Sequence, residues 1–327
     1  GYHSGIEICS LSCLFGVGGH GAFNNTVSFN HIYSIGQGMT DDLGCIYFNT
    51  GGPNNYATGN NVLNNRCHDI VDAFTLDADG YGGQGIYLDA QTAGVNVENN
   101  LVYRTASLSM NMSNGPTPGE PANTIKNNIF ALGRPGMIGV SNPYPNNSCA
   151  GMPVLEFNAS NNIFYFNLSN QRGGGFLPQR GCTYSCGSPF SDFESFSSNL
   201  YWRADGSFLT DPDAFHVQQA TTNPLCDTLN LSGTSWTFYT FSQWQGLGED
   251  AQGAVRDPGF PNPGCNQSTP AACVATAGQD DFTLTSSPGV GFVVFDPTQA
   301  GRQSPVLQAP AIAPTFQTAP LNPSTDF

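Results

Sequence analysis

One short pattern recurs along most of this chain: an asparagine followed by two mostly apolar or aromatic residues. It occurs as Asn30-His31-Ile32, Asn65-Arg66-Cys67, Asn100-Leu101-Val102, Asn128-Ile129-Phe130, Asn162-Ile163-Phe164 and Asn199-Leu200-Tyr201. The intervals are 35, 35, 28, 34 and 37 residues. Alternating apolar and polar residues precede most copies, as in Val95-Asn96-Val97-Glu98 and Val154-Leu155-Glu156-Phe157. Period-two alternation with Gly/Asn turns and no helical periodicity predicts an all-β chain of short strands. A polar residue at one position of every repeat makes sense if the repeats stack, because each buried amide then satisfies its neighbour in an inward ladder. The predicted fold is therefore a right-handed parallel β-helix. Propeller blades repeat near this length too, but they carry four strands at one regular spacing, whereas loops growing on one side of a coil account for uneven intervals.

The repeat divides the chain. Residues 1–203 read as the rungs of the solenoid. Residues 204–303 turn Gly-, Pro- and Ser-rich and read as an irregular, disulfide-linked C-terminal cover of the same domain, with Phe282-Thr283-Leu284 and Gly291-Phe292-Val293-Val294-Phe295 as strand-like stretches packing back on the coil. Residues 304–327 read as an extended Pro-rich tail.

Composition narrows the setting. Formal net charge is −15 and Lys126 is the one lysine, which argues against an electrostatic grip on nucleic acid or an anionic membrane surface. No apolar run approaches the ~20 residues of a membrane span. The ten cysteines lack paired Cys-x-x-Cys spacing, so disulfides in an oxidising compartment are expected, with Cys182–Cys186 and Cys265–Cys273 suggested by proximity alone. Seven N-glycosylation sequons, at Asn24, Asn111, Asn146, Asn158, Asn167, Asn230 and Asn266, agree with a secreted, extracellular protein. The chain opens at Gly1 with a strand-like segment, as expected of a processed piece.

Chemistry has few places to sit. Asp42 precedes the strand Cys45-Ile46-Tyr47, and Asp89 closes Gly85-Ile86-Tyr87-Leu88. The two aspartates thus read as equivalent positions of successive rungs facing one groove. A carboxylate pair is what glycoside hydrolysis needs, one to protonate the leaving oxygen and one to activate water or attack the sugar. On spacing alone, turn capping is the commoner use of aspartate. Tyr47, Tyr81, Tyr87 and Tyr103 offer stacking faces for sugar rings, and His31 and His68, beside the asparagines, are candidates for a proton shuttle or a substrate hydrogen bond. No metal or cofactor is predicted: Asp77-Ala78-Asp79-Gly80 lacks the later ligands of a calcium loop, and no phosphate loop or nucleophile elbow is present.

The run Asn30-His31-Ile32-Tyr33-Ser34-Ile35-Gly36-Gln37-Gly38, followed by Asp42-Leu43-Gly44-Cys45-Ile46-Tyr47, resembles the bacterial pattern NHIHDLGQG…SDMGGIY. Tyr81-Gly82-Gly83-Gln84-Gly85-Ile86-Tyr87-Leu88-Asp89, then Val97-Glu98-Asn99-Asn100-Leu101-Val102-Tyr103-Arg104-Thr105, resembles YGGWGIYTDEGS…VENNLVYRT. The family is that of right-handed β-helix proteins resembling glycoside hydrolase family 141, with fucosidase and xylanase activities among its members. The likeness is dense over residues 20–133 and sparse beyond. It implies that Asp42 and Asp89 are the acidic pair of an inverting hydrolase acting on a polysaccharide or glycan. Three departures bear on the sugar and on activity: Ala90-Gln91 in place of Glu-Gly, Gln84 in place of Trp, and Ser107-Leu108-Ser109-Met110-Asn111-Met112-Ser113-Asn114-Gly115 where the family has GGFHQHYG.

Two other functions are open on the sequence. One is a non-catalytic extracellular structural or adhesive glycoprotein that self-associates through solenoid ends or tail, since uncovered strand edges invite pairing. The other is a lyase or epimerase on uronic acids, which nine Lys and Arg serve poorly.

Overall fold

The computed structural model describes residues 4–9, 22–36, 42–50, 59–71, 82–89, 92–113, 116, 119–133, 136–141, 155–166, 194–220, 234–264 and 280–301. It is all-β, with mostly parallel sheets and almost no helix. From β1 to β15 the described strands visit three sheets in rotation. Sheet A holds β1 (Ile6–Cys9), β4 (Leu43–Asn49), β7 (Gly83–Asp89), β10 (Met110–Ser113) and β13 (Ile138–Ser141). Sheet B holds β2 (Thr26–Ser28), β5 (Asn61–Leu63), β8 (Asn96–Glu98), β11 (Asn123–Lys126), β14 (Phe157–Ser160) and β16 (Glu194–Ser197). Sheet C holds β3 (His31–Ile35), β6 (Arg66–Ile70), β9 (Leu101–Thr105), β12 (Ile129–Ala131), β15 (Ile163–Phe166), β17 (Leu200–Arg203) and β20 (Ala254–Val255). Every described pairing in these sheets is parallel; a separate hairpin of β18 (Phe215–Ala220) and β19 (Thr234–Tyr239) is antiparallel.

The turn from sheet B to sheet C explains why asparagines come in doublets. Its first residue is left-handed in every pass: Phe29, Asn64, Asn99, Asn127, Asn161 and Ser198 have φ between 56° and 58°. Asparagine tolerates that region better than most residues. The second residue points inward and is the ladder member. Asn30, Asn65, Asn100, Asn128 and Asn162 each donate their backbone N–H and Nδ2 to the Oδ1 of the next asparagine, at 2.9–3.0 Å. The same Nδ2 reaches back to a sheet B carbonyl, as from Asn100 to Val62 (2.8 Å). The row ends on Asp250, whose two carboxylate oxygens take the N–H and Nδ2 of Asn199 at 3.0 Å each. A shorter second row joins Asn25 to Asn60 and Asn123 to Val95, with Val95 breaking the sequence of amides.

Alternation along the strands fills the interior with Ile46, Phe48, Ile86, Leu88, Val97, Met110, Met112 and Ile125, all at or below 1% exposure. Phe130, Phe164, Tyr201 and Phe208 form an aromatic column with centroids 5.8, 5.1 and 5.4 Å apart. Beyond Tyr201 the interior is closed by Phe208, Phe215, Phe241 and Trp244, the last two on a short helix, Phe241–Gly246. A disulfide joins Cys45 of sheet A to Cys67 of sheet C inside the core. The pairs suggested by proximity, Cys182–Cys186 and Cys265–Cys273, lie outside the described residues.

The C-terminal segment lies on the outer face of sheet C, where Phe260, Phe282 and Phe292 cover Leu101, Tyr103, Ile129, Ile163 and Tyr165. The strand-like stretches expected there are not strands; the one described β-bridge pairs Asn262 with Asp281. Side chains of the turn hold the segment in place of a sheet ladder. Asn127 accepts from Val293 N–H and donates to its carbonyl (2.7 Å each), and Asn161 donates to Val290 O (2.6 Å). Two residues always join sheet B to sheet C. Variation in repeat length therefore falls outside this turn.

Candidate active site

Sheet A carries the acidic pair, though not in the arrangement read from the sequence. Asp42 stands immediately before β4 in the left-handed region (φ 54°), and its partner one pass later is Gly82, since Leu43 pairs with Gly83. Asp89 ends β7 opposite Asn49. The two aspartates are therefore not equivalent positions: each flanks a Gly-x-Ile-Tyr-type strand, one ahead of it and the other behind.

Both bear on Tyr47 instead, Asp89 through a hydrogen bond and Asp42 through its charge. Ile46 and Phe48 face the core, so Tyr47 faces out, one row with Tyr87 and Asn111 by register. All three are nevertheless buried, and the rings of Tyr47 and Tyr87 sit 4.9 Å apart at 45°. The Tyr47 hydroxyl donates to Asp89 Oδ2 at 2.6 Å, across a diagonal pair of adjacent strands. The phenol's pKa is pushed well up, first by burial, then by the hydrogen bond and charge of Asp89, then by the charge of Asp42. A side-chain hydrogen bond with Asn49 pulls the other way. Asp42 Oδ1 is buried with no hydrogen-bond partner among the described residues. None of the described strands of sheet A contains a lysine or arginine.

Behind Asp89 the turn is fixed by threonines. Thr92 donates its hydroxyl to Asp89 O (2.5 Å) and exchanges a hydrogen bond with the buried Thr50 (3.1 Å). Sequence reasoning missed Asn49, Thr50 and Thr92; their one signal was a place shortly after each Ile-Tyr strand.

The two histidines belong to sheet C and form a separate group. His31 and His68 face each other Nε2 to Nε2 at 2.8 Å. His68 Nδ1 lies 2.6 Å from Asp69 Oδ2, and Arg104 grips both oxygens of Asp69 at 2.6 and 2.8 Å while also pairing with Asp280. The Asp69 carboxylate only accepts, so His68 Nδ1 donates, His68 Nε2 accepts, and His31 Nε2 donates to it. Burial lowers the His68 pKa despite the raising influence of Asp69. Loss of solvent, with the charges of His68 and Arg66, lowers His31 to about 4. Asp69 is held below the usual carboxylate range by Arg104 and His68, which outweigh its burial. Tyr33, His68 and Tyr103 stack at 5.3 and 4.7 Å, so Tyr103 is a wall residue of sheet C with Arg66 donating to its hydroxyl (2.6 Å). The described partners of His31 and His68 are each other, Tyr33, Asp69 and Tyr103, all on sheet C. Arg104 and Asp280 were not singled out from sequence; the signal for Arg104 was an opposite charge one 35-residue interval after Asp69.

Tyr81 lies outside the described residues, as do the sequons at Asn146, Asn167, Asn230 and Asn266. Of the others, Asn24 is exposed and Asn158 partly so, whereas Asn111 is 1% exposed within β10. Among the described residues no three His, Cys, Asp or Glu gather as a metal site, and no helix is long and apolar enough to cross a membrane. No family model matches the chain, nor does any curated protein or solved structure.

Proposed function

We propose that the chain is an extracellular glycoside hydrolase that cleaves a polysaccharide with Asp42 and Asp89, on a right-handed parallel β-helix resembling family 141. The carrying observation is that one buried phenol, Tyr47, donates to Asp89 and feels the charge of Asp42, on a face whose described strands hold no lysine or arginine. Buried polar atoms are normally hydrogen-bonded, and Asp42 Oδ1 has no such partner among the described residues. One carboxyl gives its proton to the glycosidic oxygen as the C–O bond breaks, and the other takes a proton from the water that attacks the anomeric carbon. The helix reading is supported by strands that pair three elements apart as far as β15 in three parallel sheets, and crossovers between parallel strands are right-handed in nearly all proteins. Secretion is supported by the buried disulfide and by sequons whose asparagines reach solvent at Asn24 and Asn158.

The test is release of reducing ends from a panel of neutral cell-wall polysaccharides, with NMR of the anomeric proton of the first product. Wild type should give the inverted anomer, and Asp42→Asn and Asp89→Asn should each be inactive while melting within a few degrees of it. Full activity in either variant defeats the reading.

One observation favours self-association as a second reading. Phe29, directly after β2, and Tyr33, within β3, are 51% and 55% exposed on the first described strands of sheets B and C. Light scattering that finds only monomers at high concentration would dispose of it.

A further inference from the structure

An inverting pair must be chemically unlike: one carboxyl protonated, the other ionised. Asp42 and Asp89 are the same residue type, so the difference has to come from what surrounds them. Around Asp89 it comes from β4. Tyr47 donates to Asp89 Oδ2 at 2.6 Å, and because a carboxylate only accepts, the phenol is the donor. That leaves the phenol's lone pairs to the Asn49 side chain, the strand partner of Asp89 itself. The ring cannot swing away, being 4% exposed and lodged against Tyr87. Around Asp42 the situation is reversed: Oδ1 is buried and no donor reaches it among the described residues. A hydrogen bond to the charged form favours that form.

We infer that Tyr47 is a positioning residue that differentiates the pair, holding Asp89 as the ionised base and leaving Asp42 as the proton donor. The inference rests on the hydrolase reading. In the step it describes, the Asp42 proton passes to the leaving oxygen, the water oxygen bonds to the anomeric carbon, and the water proton goes to Asp89. Solvent then exchanges the protons back.

Two measurements on the full chain test it. Tyr47→Phe removes the hydroxyl and keeps the ring. Its kcat should fall about ten- to a hundredfold with KM changed less than about threefold, and the acidic limb of the pH–rate profile should move up by about one pH unit. An active Tyr47→Phe enzyme with the wild-type acidic limb overturns the inference. The second readout needs no turnover: at neutral pH, 13C NMR of Cζ-labelled tyrosine reports the hydrogen bond that the Tyr47 phenol donates, and Asp89→Asn should move the Tyr47 resonance. A Tyr47 resonance unmoved in Asp89→Asn overturns the inference even if Tyr47→Phe fails to fold. Normal coupling without hydrolysis of any glycan would instead remove the hydrolase reading, and the role assignment with it.

Discussion

The outer faces of sheets A and C both bury polar side chains, and they treat charge in opposite ways. On sheet C the acid Asp69 is gripped by Arg104, which also pairs with Asp280, and Arg203 at the end of β17 pairs with Asp211. Phe282 and Phe292 then cover much of that face. On sheet A, Asp89 accepts from Tyr47, and the described strands contain no lysine or arginine. Charges that neutralise one another build a wall. Under the proposed function the acids of sheet C serve stability, and Asp42 and Asp89 serve chemistry.

The sharpest way to break that assignment is at Asp89. Asp89→Asn should cut turnover about a thousandfold or more, measured as initial rates on a cleaved glycan, with little change in unfolding midpoint. Arg104→Ala should do the opposite, costing about 3–5 kcal/mol in denaturant unfolding because Asp69 and Asp280 lose their cation, while the folded fraction keeps its rate. If Arg104→Ala left stability intact and abolished turnover, the roles of the two faces would be exchanged. Asn128→Ala sets an interior baseline. It strips the acceptor from Asn100 N–H and Nδ2 and should cost about 2–3 kcal/mol by the same measurement.

The smallest effect is pH dependence on sheet C. The folded pKa of His31 lies below its unfolded value, so between about 6.5 and about 4 the unfolded chain binds the extra proton. His31 therefore contributes stability that is fully present above that window and lost as pH falls through it. Because the ring is partly exposed, the change should be only about 1 kcal/mol, read as the difference in unfolding free energy between wild type and His31→Gln across the window.

The asparagines of the ladder were legible in the sequence because one amide per pass, at the same place, is a requirement of stacking. All six asparagines read from the repeat are ladder members. Its end at Asp250 was not, since a single aspartate outside the repeat carries no periodic signal. Asp42 and Asp89 could be named, but their relation was misread: Gly-x-Ile-Tyr marks the strand and is silent about which end of it a flanking residue occupies. The separation of His31 and His68 from the aspartates was hidden for a similar reason, because nearness to the asparagine repeat means sheet C and not sheet A. The covering segment was visible as apolar sequence, yet its attachment through Asn127 and Asn161 depends on a left-handed turn that composition does not reveal.

Asp250 gives the asparagine row a direction. In every step the donors point toward higher residue numbers and the Oδ1 acceptors toward lower ones, so the amide dipoles add head to tail, as peptide dipoles do along a helix. The end that exposes N–H groups is the positive pole, and there the row meets an anion in place of another amide. Passes could be inserted between any two asparagines without disturbing that pole, because each new amide would receive from one neighbour and give to the next. The row is extensible in its middle and terminated at one end, and a single change of nitrogen to oxygen marks the terminus.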